Sequence, residues 1–395
     1  AGGITCIADM PLNCHPVTTS ADSLRLKLDV LKGKFSEEDR AKSKLQGEPP
    51  EPDGEEKLWV DCAFYGGVIP GNSEELEPMI KMGVAGFKCF LVHSGIDEFP
   101  NVTEEDLRKA MPILARHNIP LLVHAELECG HAAHDADWKD PQSYKSFLES
   151  RPRHWENEAI EMMIRLCREF KGPVHIVHLS SSDALTAISQ MKKDGLPFTV
   201  ETCPHYLTFE AEQIPDGDPR FKCAPPIREA ENREKLWRGL TAGLIDIVVS
   251  DHSPCVPDKK FISEGDLKKA WGGISSLQFG LPVIWTEAKK RGQKLEDLVE
   301  WMSARPAKFL GIANRKGAIK VGHDADLIAF DPDADFTINT NIIQHKNKVT
   351  PYEGRELKGV VRKTFVRGRL IYEDGKLTAN ANGDQILHNR VEIKA

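Results

Sequence analysis

The sequence has 395 residues, enough for one large catalytic domain and a small accessory one. Hydrophobic residues make up 40%, the formal net charge is −8 and no run of eighteen apolar residues occurs, so neither a membrane span nor a nucleic-acid surface is expected. Nine cysteines, an odd number scattered through apolar segments, read as reduced thiols of an intracellular protein and not as a secreted disulfide framework.

Ala1-Gly2-Gly3-Ile4-Thr5 reads as a helix end, a glycine stop and the start of a buried strand. The expectation is a chain that begins inside its fold, with one strand and any organelle signal lying ahead of Ala1. The first apolar run is 4–8 (ITCIA) and the second is 58–65 (LWVDCAFY), stopped by Gly66-Gly67. Between them, 36–57 is charged and proline-bearing, the composition of a solvated surface loop. The third run is 84–90 (VAGFKCF), after a helix over 73–81; the fourth is 120–123, after a helix that Thr103 and Asp106 cap as a box. Runs five to seven are 174–179 (VHIVHL), 198–203 (FTVETC) and 245–250 (IDIVVS), each preceded by a helical segment.

Strands alternating with helices predict a parallel α/β architecture. No glycine-rich phosphate turn follows the first run, and polar residues end several different strands, which favours a TIM-type (β/α)8 barrel over an open doubly wound sheet. Seven of its eight strands are visible, within a barrel domain over 1–310. From 311 to 395 the pattern becomes a small β-rich accessory module, with β segments at 316–331 and 360–373 after a helix over 295–310. A barrel short of one strand exposes two unpaired edges, so aggregation is expected of the chain expressed alone.

Lys88, His124, His178 and Asp251 stand at the C-terminal ends of four predicted strands. Alternation puts Gly86, Lys88 and Phe90 on one face. His175 and His178 are three residues apart and face opposite ways, so His178 is expected to line the barrel and His175 to pack outside. Alone, Lys88 reads as a salt-bridged structural lysine. Beside two histidines and an aspartate, a second reading opens: burial depresses the amine pKa, and the neutral amine reacts with carbon dioxide to give an anionic carbamate. That group bridges two divalent ions, and the mixed nitrogen and oxygen donors suit zinc.

GFKCF around Lys88, LLVHAE around His124, HIVHLSS around His178 and VVSDHSP around Asp251 resemble the cyclic-amidase branch of the amidohydrolase superfamily. ADMPLN, TCPHY, KCAPPIR, KAWGGISSLQ and HKNKVTPYEG make the chain similar, within that branch, to the animal allantoinases. The resemblance implies two divalent ions, zinc by preference, bridged by carboxylated Lys88. His124 and His178 would bind one, and Asp251 would bind the other and shuttle the proton. It further implies a small cyclic ureide as substrate, allantoin opened to allantoate, and an assembly of identical chains. Substrate contacts from backbone would fall at Ala224, in KCAPPIR, and Gly272, in AWGGI, although each also reads as a plain turn.

The branch also ends its first strand in a His-x-His pair for the second metal, and this sequence has none. His131, His134 and the lone loop residue His15 do not replace it, so a chain short of one metal's histidines, and inactive as it stands, is an expectation. Two other readings are open: a dihydropyrimidinase or hydantoinase, against which His93 stands where a tyrosine is typical, and a non-catalytic scaffold relative. His205 reads equally as a site or a structural residue, and Arg228 as a gating or structural cation. The C-terminal Glu392-Ile393-Lys394-Ala395 is not a peroxisomal address, leaving cytoplasm, mitochondrion and peroxisome open.

Overall fold

The computed structural model describes residues 1–34, 58–130, 138, 140–378 and 383–388. Each of the seven apolar runs forms a strand there: β1 (Cys6–Asp9), β2 (Asp61–Gly67), β3 (Gly86–Phe90), β4 (Leu121–His124), β5 (Val174–Ile176), β6 (Phe198–Thr202) and β7 (Ile247–Val248). They pair in parallel and in chain order. A helix crosses over in every connection: α1 (Ala21–Val30), α2 (Ser73–Met82), α3 (Glu104–Arg116), α4 (Arg153–Phe170), α5 (Leu185–Lys193) and α6 (Ala230–Thr241). This is the TIM-type barrel arrangement. Among the described residues β1 and β7 end the path without pairing to each other. The charged stretch 36–57, His131 and His134 lie outside the described residues.

Local chemistry sets the helix ends. Thr103 Oγ1 accepts from the Asp106 N–H at 3.3 Å, and the Asp106 carboxylate accepts from the Thr103 N–H at 2.9 Å, the expected box. α3 then buries Leu107, Ala110, Met111 and Leu114 along one face. α2 stops at Gly83, whose φ of 100° belongs to the left-handed region and whose missing Cβ leaves room for the His388 backbone.

Strand alternation sorts the barrel into two cores. Phe87, Cys89, Leu121, Val123, Val174, Ile176, Phe198 and Val200 point outward into the layer shared with the helices. Ala63, Tyr65, Leu122 and Val177 point inward, where Ala307 and Ile312 join them and Phe309 and Leu310 pack alongside. The segment that supplies this floor runs helically from Leu295 to Phe309, with a π turn at Glu300–Ala304 just ahead of Pro306, which has no N–H to donate to Met302. Each large aliphatic side chain so buried contributes about 1.5–3 kcal/mol.

Beyond the barrel, β8 (Leu327–Thr337), β9 (Glu356–Val366), β10 (Arg369–Glu373) and β11 (Lys376–Leu377) form an antiparallel sheet in the order β11-β10-β9-β8. Its first strand starts at Leu327, later than the sequence suggested. The residues ahead of it do other work: the Lys316 ammonium meets Asp61 at 2.7 Å, Asp324 at 3.0 Å and Asp326 at 2.5 Å. Arg367 and the Asp384 N–H also bond Asp61. Next to them β12 (Gln385–Ile386) pairs in parallel with β2, so this buried charge cluster ties the sheet and the C-terminal segment to the barrel.

Candidate metal centre

Lys88, His124, His178 and Asp251 come together at the C-terminal ends of their strands. Lys88 faces inward from β3, only 3% exposed, and its Nζ has no hydrogen-bond partner among the described residues; it lies 4.5 Å from the centre of the Phe90 ring. Burial pulls its pKa down to about 8, against smaller opposing effects of Cys89, Asp251 and Glu201. A lysine with an appreciable neutral fraction near physiological pH is the species a carbamate needs.

His124 Nδ1 and His178 Nε2 face each other at 3.0 Å. Burial holds His124 down to about 4 and His178 well below its ordinary value, so both rings are neutral. Two neutral nitrogens at that spacing approach the edge of about 3.4 Å that a tetrahedral ion with 2.0–2.1 Å bonds requires. The far nitrogen of His124 meets Glu126 at 2.8 Å, and Glu126 is fully buried with Arg151 at 2.5 Å. Burial opposes the Glu126 charge, yet Arg151 and His124 hold its pKa to about 2. A carboxylate behind a ligand histidine fixes its tautomer and orientation. With the lone lysine nitrogen, this donor set fits a divalent ion.

Asp251 and His178 both have positive φ, 43° and 41°, in the left-handed region that non-glycine residues enter at a cost. Burial raises the Asp251 carboxyl to about 6. Cys203 and His205 approach it, with ligand-capable atoms of all three within 4.8 Å of one another. His205 is fully buried, neither ring nitrogen has a partner among the described residues, and burial lowers it to about 3. The second acidic group, Asp61 with Asp324 and Asp326, is already filled by the Lys316 ammonium.

The structure overturns one expectation. His175 is not on the outer face: its Nε2 meets Glu201 at 2.9 Å, its Nδ1 meets Thr199 at 2.7 Å, and its ring lies 4.1 Å from that of Phe309 on the barrel floor. Both histidines reach the interior because β5 ends at Ile176 and the positive φ of His178 breaks the alternation.

Other residues divide clearly. Ala224 is half-buried and joined to Pro225 by a cis bond; Gly272 is exposed, with room for a Cβ that would meet no protein atom within 4 Å. His15 is exposed and joins no ligand cluster among the described residues. His252 turns away from the barrel, its Nδ1 accepting from the Ser276 and Leu277 N–H groups. Arg228 is buried, with Nε and Nη2 unpartnered among the described residues, within electrostatic reach of Glu156. All nine cysteines are free. Glu126 and Glu201 went unnoticed in the sequence; an acid two residues past a strand-end histidine, and one inside an apolar strand, were the available signals.

The amidohydrolase family model matches residues 2–371. The chain is 46% identical to an allantoinase of Streptomyces avermitilis, covering 96% of this chain and 78% of that one. It is 42% identical to an allantoinase of Arabidopsis thaliana, over 97% and 74%. Among solved structures it resembles the L-hydantoinase (dihydropyrimidinase) of Arthrobacter aurescens, with a TM-score of 0.86, 30% identity and coverage of 98% and 81%. Divalent metals serve the chemistry of this group. The barrel, the clustered strand-end donors and these likenesses agree: the chain belongs to the amidohydrolase family, on the branch that holds the allantoinases.

Proposed function

We propose that the chain opens the hydantoin ring of allantoin by hydrolysis, giving allantoate. The observation that carries this reading is the likeness to allantoinases at 46% and 42% identity over nearly the whole chain, against 30% to the hydantoinase. His124 and His178 would hold one divalent ion, zinc by preference, and Asp251 would hold a second. Lys88, carboxylated on Nζ, would add oxygen donors to that set. Bound there, the ions supply Lewis acidity and make water a nucleophile near neutral pH.

The chain's own residues do the rest. Glu126, anchored by Arg151, holds the His124 ring in one tautomer with Nδ1 directed at the centre. The Asp251 carboxylate takes a proton from the attacking water as oxygen bonds to the ring carbonyl carbon. It returns that proton to the ring nitrogen as the carbon–nitrogen bond breaks, so no net charge is left on the protein. Backbone groups at Ala224 and Gly272 hold the ring, where the free space at Gly272 lets substrate approach the main chain.

Ring-opening rates on allantoin and on dihydrouracil, after loading with zinc and bicarbonate, test the assignment. Allantoin should be opened faster. Faster turnover of dihydrouracil would replace the reading with a dihydropyrimidinase.

A further inference from the structure

A further buried lysine lies against the segments that carry Ala224 and Gly272. Lys260 is 2% exposed, at the end of a short 3-10 turn (Pro257–Lys260). Its ammonium donates to three backbone carbonyls: Lys222 at 3.1 Å, Trp271 at 2.8 Å and Gly273 at 2.6 Å. An ammonium has three N–H donors, so all are used, and no carboxylate is among the acceptors. Burying a charge with no counter-ion costs free energy that hydrogen bonds to carbonyls only partly offset.

The acceptors bracket the two backbone positions named for substrate. Trp271 and Gly273 flank Gly272, and Lys222 lies two residues before Ala224. Direct bonds fasten the same segments: Gly273 N–H to the Lys222 carbonyl at 3.0 Å, Trp271 N–H to the Lys259 carbonyl at 2.7 Å. Lys222 in turn donates to the carbonyls of Lys268 and Ala270 at 3.0 and 2.7 Å. Gly273 has no room for a side chain, since a Cβ would collide with Ser253. Among the described residues, the N–H and carbonyl of Gly272 and of Ala224 bond to no protein group. The neighbours are fixed and these polar groups are left free. Next to Gly272 lies a shallow depression with room for about one water, lined by Lys260, Gly273, Ser275 and Ser253, the last two residues beyond Asp251.

We propose that Lys260 is a positioning residue for the substrate: by spanning the Lys222, Trp271 and Gly273 carbonyls it holds the Ala224 and Gly272 backbones at the separation that grips a cyclic ureide. The inference rests on the ring-opening reading through those two positions. It assigns Lys260 to ground-state binding and not to bond breaking.

Lys260→Met removes the ammonium and keeps the side-chain length. In the full chain loaded with zinc and bicarbonate, KM for allantoin should rise about tenfold while kcat stays within about threefold. Calorimetric Kd for hydantoin should weaken by the same factor of about ten, with metal content equal to wild type. Unchanged KM and Kd overturn the proposal. Loss of metal also overturns it, because Lys260 would then support the metal centre instead of the substrate wall. If Lys260→Met does not fold, Gly272→Ala decides, since its methyl meets no protein atom within 4 Å: weaker hydantoin binding supports the proposal and unchanged binding ends it. A wild-type chain that binds hydantoin without opening allantoin fails the proposed function alone, because the Kd comparison judges Lys260 separately.

Discussion

Lys88 and Lys316 are both buried lysines, 3% and 4% exposed, and they live in opposite surroundings. Lys316 is held by three carboxylates; although burial opposes its charge, Asp326, Asp61 and Asp324 raise its pKa. Lys88 has no hydrogen-bond partner among the described residues, and burial lowers its pKa. One charge is fully satisfied and serves the fold. The other is left unsatisfied beside neutral histidines, the setting in which the proposed function places its chemistry. Burial alone therefore says little about a lysine's task; its partners decide.

Exchanging the two lysines' side chains in turn breaks the comparison most sharply. Lys88→Ala should lower kcat/KM for allantoin by about three orders of magnitude while shifting the melting temperature of the metal-free chain little, since Nζ makes no hydrogen bond there. Lys316→Met should do the reverse. Removing the cation from three buried carboxylates should cost about 3 kcal/mol or more in denaturant unfolding, with activity per folded chain kept. If Lys316→Met matched wild-type stability, the cluster would not be the tie between sheet and barrel.

Glu126→Gln gives a milder effect of the first kind. The ring of His124 loses its charged anchor, and metal affinity measured by chelator competition should fall about 10- to 100-fold. An unchanged affinity would make Glu126 a packing residue.

The pH dependence sharpens the second kind. Asp324 has a depressed folded pKa: burial opposes its charge, and Lys316 and Arg315 outweigh it. Its stabilisation is therefore present above the unfolded carboxylate pKa of about 3.9 and is lost as pH falls through the lower folded value. Lys316 has a raised folded pKa, so its share is complete below about 10.4 and is lost as pH rises through the higher folded value. The stability that Lys316→Met removes should thus be flat between about pH 5 and 10 and shrink outside that window. The smallest effect belongs to Thr103→Ala, which removes the α3 cap and should cost about 1 kcal/mol without touching metal binding.

Much of this was legible in the sequence because strands announce themselves by apolar runs and end in polar residues. The seven strands, the Thr103–Asp106 cap and the inward face of Gly86, Lys88 and Phe90 follow from period and composition alone. His175 was misread because alternation holds only while the chain stays extended, and nothing in HIVHL signals that His178 leaves it with a φ of 41°. The Lys316 cluster joins residues 61, 324, 326, 367 and 384, a contact between distant segments that no local pattern encodes. Lys260 was invisible for a similar reason: its partners are backbone carbonyls, which carry no residue identity.

Metal content per chain, with and without bicarbonate during zinc loading, tests the central claim most directly when run on wild type and Lys88→Ala together. The account predicts bicarbonate-dependent metal uptake and allantoin turnover in the wild type, and neither in Lys88→Ala. Equal metal content and equal turnover in the two proteins would contradict it, and Lys88 would revert to a buried structural lysine.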